Sequence, residues 1–173
     1  MGKSGRFGLL SRPFLRACIM LNLLGEYPST LDAKSRVLLP AALKKQLGGA
    51  ESKGFVVNRD VFSECLVLYP MDEWERTSAD VRRLNRFDPD NVEFIRRFLN
   101  GATPVELDAN GRLLLPKTLM AYAHLGKDIV FTGMGDRIEI WSEEHHKRAL
   151  GGNVDFKSLA AKVMAGKPKA YDA

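Results

Sequence analysis

Little in this 173-residue chain suits covalent or metal-bound scaffolding. Its two cysteines, Cys18 and Cys65, are too few for a disulfide framework and match no metal-ligand spacing. They read as reduced thiols of a cytoplasmic protein. No apolar run reaches the roughly 20 residues that span a bilayer, so no membrane partner is expected. Residues 1–19 lack any acid and hold Lys3, Arg6, Arg12 and Arg16. Arg12 and Arg16 interrupt the apolar stretch that a secretory signal needs, and no small-residue cleavage site follows. The segment is expected to be a disordered arm, or to precede a true start at Met20. There are three histidines. His124 stands alone and reads as a helix-surface residue. His145 and His146 leave a helix about 100° apart with no third ligand nearby in sequence, which predicts surface positions and no metal. Gly133-Met134-Gly135 lacks the G-x-G-x-x-G pattern and precedes a strand, so it predicts a hairpin loop, not a phosphate cradle. No Ser-His-Asp or Cys-His pairing is discernible. The chain reads as a non-enzyme with no cofactor and no small-molecule substrate.

Hydrophobic residues make up 45% and charged residues 27%, enough apolar content for a packed core. The formal charge is +5, and it is unevenly placed. Without residues 1–19 it falls to +1. Residues 145–173 carry six basic and two acidic residues, and 20–144 carry 16 basic against 19 acidic. A polyanion partner therefore cannot be argued from net charge; it needs particular cations in particular places.

The dominant feature is an internal repeat. Residues 25–43, GEYPSTLDAKSRVLLPAAL, align without a gap to residues 101–119, GATPVELDANGRLLLPKTL, with 10 identities in 19 positions. The shared pattern is G-x-x-P-x-x-L-D-A-x-x-R-x-L-L-P-x-x-L. Two copies are too few for a solenoid and suit a closed pseudo-symmetric pair. The likeness continues loosely through Gly54–Val57 with Asp128–Phe131, and Cys65–Tyr69 with Arg137–Trp141. Each repeat reads strand, turn, strand, short helix, strand, loop, strand. Val37–Leu39 and Leu113–Leu115 are expected as buried strands. Pro40 and Pro116 suit a helix first turn. Gly48-Gly49 and Gly126 are expected to end those helices. Between the repeats, Trp74, Val81, Leu84 and Phe87 form one helical stripe, read as core or subunit interface. Asp88-Pro89-Asp90 breaks it, and a second helix carries Val92, Ile95, Phe98 and Leu99 on one face and closes at Asn100-Gly101. A further helix starts near Ser142.

Each repeat sets an Asp and an Arg four residues apart across a tight turn. Asp32 and Asp108 are the natural turn formers, accepting backbone N–H bonds, and Asn110-Gly111 is a strong turn pair because both tolerate positive φ. Arg36 and Arg112 are candidates for polyanion contact, since a guanidinium donates bidentately to phosphate oxygens and guanine edges. A pseudo-two-fold would bring both to one face, with Lys34 beside them. Paired aspartates also suggest an aspartic-protease dyad, but a cation beside Asp32 opposes the shared proton which that chemistry needs. Arginines 82, 83, 86, 96 and 97 read as a solvated helix face pairing with Asp80, Asp88 and Glu93.

The two Asp-x-x-x-Arg turns, each followed by apolar-apolar-Pro, resemble the MraZ family, as does Leu66-Val-Leu-Tyr-Pro followed by Glu73-Trp74-Glu75. The similarity covers about 20–150. It implies an α+β, β-rich fold: a swapped-hairpin, AbrB-like barrel from two repeats in one chain, with a linking helix pair. The corresponding segments are a first repeat at 20–75, linking helices at 76–100, a second repeat at 101–148, and a C-terminal helix and flexible tail at 149–173. The resemblance implies a transcriptional regulator, usually a repressor of its own division and cell-wall gene cluster. It further implies a cytoplasmic, nucleoid-associated protein that binds repeated sites in double-stranded DNA as a ring-shaped homo-oligomer. DNA contact would fall to Arg36 and Arg112, with Lys34 in the matching turn. The second turn departs by carrying Asn110-Gly111, one cation fewer. The alternative is an AbrB-type antitoxin or protein-interaction module, although such antitoxins usually carry one repeat and a disordered tail.

Overall fold

The computed structural model describes residues 20–166, so the basic arm 1–19 and the end of the tail lie outside the described residues. The first repeat runs β1 (Glu26–Thr30), β2 (Arg36–Leu38), α1 (Ala41–Leu47), a 3₁₀ turn (Ala50–Lys53), β3 (Phe55–Arg59) and β4 (Leu66–Pro70). Two helices link the repeats, α2 (Met71–Arg82) and α3 (Pro89–Asn100). The second repeat runs β5 (Thr103–Val105), β6 (Arg112–Leu114), α4 (Lys117–Tyr122), β7 (Asp128–Gly133) and β8 (Ile138–Ser142). Helices α5 (Glu143–Leu150) and α6 (Phe156–Ala165) follow.

The repeats exchange strands. The six-stranded sheet has the order β1-β7-β8-β4-β3-β5, with every neighbouring pair antiparallel. The first strand of each repeat therefore pairs inside the other: β1 on β7, and β5 on β3. At the centre β4 meets β8 with Leu66 opposite Ile140 and Leu68 opposite Ile138, which puts a pseudo-two-fold through the Val67–Glu139 pair. A separate ribbon, β2 with β6, is centred on Val37 opposite Leu113. The architecture is the α+β, swapped-hairpin arrangement that the family resemblance implies. Its ladders form a six-stranded sheet and a ribbon in place of one hydrogen-bonded ring.

The core lies between sheet and ribbon. Val37, Leu39, Leu113 and Leu115 point inward to meet Leu43 and Leu119 of the short helices and Phe55, Leu68, Phe131 and Ile140 of the sheet. Each such side chain contributes about 1.5–3 kcal/mol by leaving water. The two triplets are not uniformly buried, as the apolar run predicted. Leu38 and Leu114 are 58% exposed, because a ribbon with one face on the core must turn alternate residues outward.

Three other local expectations shift. Pro40 and Pro116 precede the first helical residue, with extended ψ of 131° and 132°, and do not join the first turn. Gly48 does end α1 in the left-handed region, but α4 ends earlier than Gly126: its cap is Ala123, and His124 takes the left-handed φ of 50°. The linking stripe also stops short. Val81 is buried, but α2 ends at Arg82 and Phe87 is 96% exposed, where its N–H donates to Asn85 Oδ1 in a turn. Trp74 stacks on Phe98 at 5.8 Å, and Asn58 Nδ2 donates to the Phe98 carbonyl, so α3 is pinned to the sheet. Asp88 caps α3, accepting from Asp90 N–H, and Ser142 caps α5.

Two backbone constraints are testable. Leu23 bridges Gly135, and the Gly133 N–H donates to the Gly25 carbonyl, so the chain entering β1 lies directly against β7. A Cβ on Gly133 would sit 2.6 Å from the backbone of Leu23 and Leu24. Gly133→Ala should cost about 1–3 kcal/mol in thermal unfolding, the usual scale of overpacking. In the first turn Ser35 holds φ 62°, where the second turn has Gly111 at φ 76°. Ser35→Gly should raise stability by about 0.5–1 kcal/mol, since the left-handed penalty exceeds the entropic cost of glycine.

Candidate nucleic-acid interface

The β2–β6 ribbon sets the site. Arg36 lies opposite Leu114 and Leu38 opposite Arg112, on either side of the Val37–Leu113 pair. Because side chains alternate along a strand, Val37 and Leu113 fill the core while Arg36, Leu38, Arg112 and Leu114 share the outer face. The antiparallel register thus puts the two arginines diagonally across the pseudo-two-fold, with two exposed leucines between them.

Each guanidinium is tied to its own turn. Asp32 Oδ1 accepts from the Lys34 and Arg36 backbone N–H groups at 2.8 and 2.9 Å, and Oδ2 accepts from Arg36 Nε at 2.8 Å. Arg36 Nη2 lies 2.8 Å from the same Oδ2. The second turn repeats this: Asp108 Oδ1 accepts from Asn110 and Arg112 N–H at 2.9 and 3.0 Å, and Oδ2 takes Arg112 Nε and Nη2, both at 2.8 Å. Both carboxylates thus act as turn formers and arginine partners together. The Arg36 backbone N–H, then its side chain, lower the Asp32 carboxyl to about 2. Asp108 is lowered likewise, first by the Arg112 backbone N–H. Two carboxylates held ionised by separate arginines are poor material for a dyad that shares one proton. The Nε and Nη2 edge of each guanidinium is held by its Asp, so the Asp orders the arginine at the cost of part of its charge.

Lys34 is exposed in the first turn. It lines an open groove of about 540 Å³ with Ser35, Pro104, Glu106, Leu114, Pro116 and Lys117. The sequence reading missed Lys117. It lies outside the repeated residues, with Ala41 at the matching place in the first repeat, and only its position directly after Pro116 in the ribbon's exit could have flagged it. Asn110 and Ala41 occupy the pseudo-symmetric counterparts of Lys34 and Lys117. The face is therefore symmetric in its arginines and lopsided in its lysines. Asn110 is also not in positive φ; Gly111 alone supplies that conformation in the second turn.

On the linking helices, Arg83 pairs with Asp80 at 3.2 Å, and Arg96 and Arg97 pair with Glu93 at 2.5 and 2.6 Å. Asp88 is absorbed by its capping role. The histidines depart from the sequence reading. His146 is 8% exposed, with Nε2 3.3 Å from Thr132 Oγ1, because α5 packs back on the sheet. His124 is not solitary: its ring stacks on that of His145 at 5.0 Å, and Glu64 reaches both. The fold joins residues that lie 60 and 21 positions apart, which no local spacing could reveal. Among the described residues no helix is long and apolar enough to cross a membrane.

Residues 23–97 and 98–153 each match the family model described as "MraZ protein, putative antitoxin-like". A protein of Christiangramia forsetii named "Transcriptional regulator MraZ" is 45% identical over 146 residues, covering 84% of this chain and 94% of its own length. A protein of the same name from Flavobacterium psychrophilum is 44% identical over 84% of this chain and 93% of its own. Another, from Clostridium tetani, is 35% identical over 81% and 95%. The double match follows the internal repeat, and the relatives span nearly the whole described region: the chain belongs to the MraZ family.

Proposed function

We propose that the chain is a cytoplasmic transcriptional regulator that binds double-stranded DNA through Arg36 and Arg112, with Lys34 beside them. It acts as a ring-shaped homo-oligomer on tandem promoter repeats and represses its own division and cell-wall gene cluster. The observation that carries this reading is the pair of aimed guanidiniums on one exposed face of the β2–β6 ribbon. The relatives' name supports the regulatory role.

The assembly follows from electrostatic need. One chain offers few cations on this face, and affinity for DNA grows with the number of phosphates neutralised. Repeating the face around a ring over repeated sites would gain avidity with no new contact type. Lys34 and Lys117 on one flank would add phosphate contacts there and bias the orientation of each subunit on its site. A protein-interaction reading, such as an antitoxin, draws on the family description and on α6, where Phe156, Leu159, Val163 and Met164 are all exposed. It predicts binding to a protein through α6 with no dependence on the two arginines.

The test is a gel-shift or anisotropy series over salt with DNA from immediately upstream of the gene. Arg36→Ala and Arg112→Ala should each cost about 1–3 kcal/mol of specific binding, and Lys34→Ala should flatten the log–log salt slope by about one. Unchanged affinity in the double arginine variant would overturn the reading. Native mass measurement checks the oligomer.

The turns also set an acid limit. Both folded carboxyls lie below the ordinary Asp value of 3.8. A depressed pKa contributes stability that is fully present above that value and is lost as pH falls through the folded value. Wild type should therefore exceed Asp32→Asn in stability by a constant margin at neutral pH. That margin should shrink between pH 3.8 and about 2 in chemical unfolding monitored by circular dichroism.

A further inference from the structure

We infer that Glu64, His124 and His145 form a binding site for a divalent transition-metal ion of the zinc type. The three come from separate places: Glu64 from the loop between β3 and β4, His124 from just past α4, and His145 from the first turn of α5. Glu64 Oε2 lies 3.1 Å from His145 Nε2, and Oε1 lies 3.7 Å from His124 Nε2. One donor atom from each residue falls within 4.8 Å of the others. Ligands about 2.0–2.2 Å from a tetrahedral ion stand roughly 3.3–3.5 Å apart, so the cluster needs little closure to accept one.

The surroundings match the requirements of such a site. Ser142 Oγ lies 2.7 Å from His145 Nδ1, which fixes the ring with Nε2 turned towards Glu64. A partner on the far nitrogen is the usual support of a ligating imidazole. His124 is held in the left-handed region just past α4. Two imidazoles and one carboxylate suit zinc, cobalt or nickel, and suit calcium or magnesium poorly. Glu64 and His124 have side chains 58% and 56% exposed, which leaves the fourth position open to water. The site also joins the two repeats, since Glu64 lies in the first, His124 in the second and His145 in the helix that follows it. A bound ion would cross-link the repeats.

A second cluster, Asp60, Cys65 and Glu139, competes for the assignment. Cys65 is fully buried, and burial pushes its thiol far above the ordinary range, so the thiolate that ligates metal is disfavoured there.

The test uses the full untagged chain, titrated with Zn²⁺ by calorimetry and with Co²⁺ by visible absorption. One ion per chain should bind, with a rise in Tm and a cobalt spectrum free of thiolate charge transfer. Glu64→Gln and His124→Asn change exposed side chains, and Asn tolerates the left-handed backbone of His124. Each should weaken Zn²⁺ binding by roughly 10–100-fold or more, since even losing a supporting partner costs that much. Cys65→Ala should leave binding unchanged. Absence of saturable binding, retention in the Glu64→Gln/His124→Asn double variant, or a thiolate band with cobalt would each overturn the assignment.

Discussion

Neither repeat can satisfy its own first strand. Among the described residues, the N–H and C=O groups of β1 find their ladder on β7, and those of β5 on β3. Unpaired backbone groups at a sheet edge invite other chains and are costly when buried. Fusing two such repeats makes each the partner that the other lacks. Everything at the exposed ribbon follows from that exchange. Once β1 and β5 have crossed over, β2 and β6 are delivered side by side, and Val37 against Leu113 sets their register. A slip of one residue would turn Arg36 and Arg112 towards the core and Val37 and Leu113 into water. The burial of those two aliphatic side chains is thus what places both guanidiniums outside.

Much of this was legible in the chain. Ten identities at one fixed offset revealed the pair, and the Asp-to-Arg spacing revealed the turn, because Asp is the residue best able to collect neighbouring N–H groups. Ser142 marked a helix start, and Asp88-Pro89 a break that the structure shows to be the cap of α3, through chemistry that needs no tertiary context. What escaped the sequence depends on the third dimension. Leu38 reads like Leu39 in a run of apolar letters, and only the ribbon's single buried face separates them. Phe87 continues the apolar series of Trp74, Val81 and Leu84 in the sequence, yet Asn85 has already turned the chain out. His124 and His145 meet because β7 and β8 return the second repeat past the end of α4, and Lys117 joins Lys34 because β5 and β6 bring α4's first residue beside the other repeat's turn.

The electrostatics are local in the same way. The segment bearing both motifs has more acids than bases, so no broad positive field covers it. In each turn one Asp offsets one Arg, which leaves the second turn neutral and the first with the single charge of Lys34. Pairing lowers the net charge of the face, yet it orders a long side chain that would otherwise lose about 2 kcal/mol of rotamer freedom on binding. An aimed, partly neutralised arginine favours discrimination among base edges over indiscriminate attraction to phosphate. Lys34 and Lys117 are unlike the arginines in this respect. They are exposed, sit on one flank, and suit the phosphate backbone as compact point charges.

The asymmetry limits what the pseudo-two-fold can do. A perfectly symmetric face would read the two directions of a DNA site alike. Here the arginines obey the symmetry, while Lys34 and Lys117 face Asn110 and Ala41 across it. Laid on DNA, a face of that kind would have a direction along the groove. Copies arranged head to tail around a ring would all point the same way, which suits directly repeated sites better than inverted ones, because an inverted site asks for a two-fold between neighbouring faces. The divergence between the two turns, one cation more in the first and a glycine in the second, would then bias site arrangement on a frame that the aliphatic pairs keep symmetric.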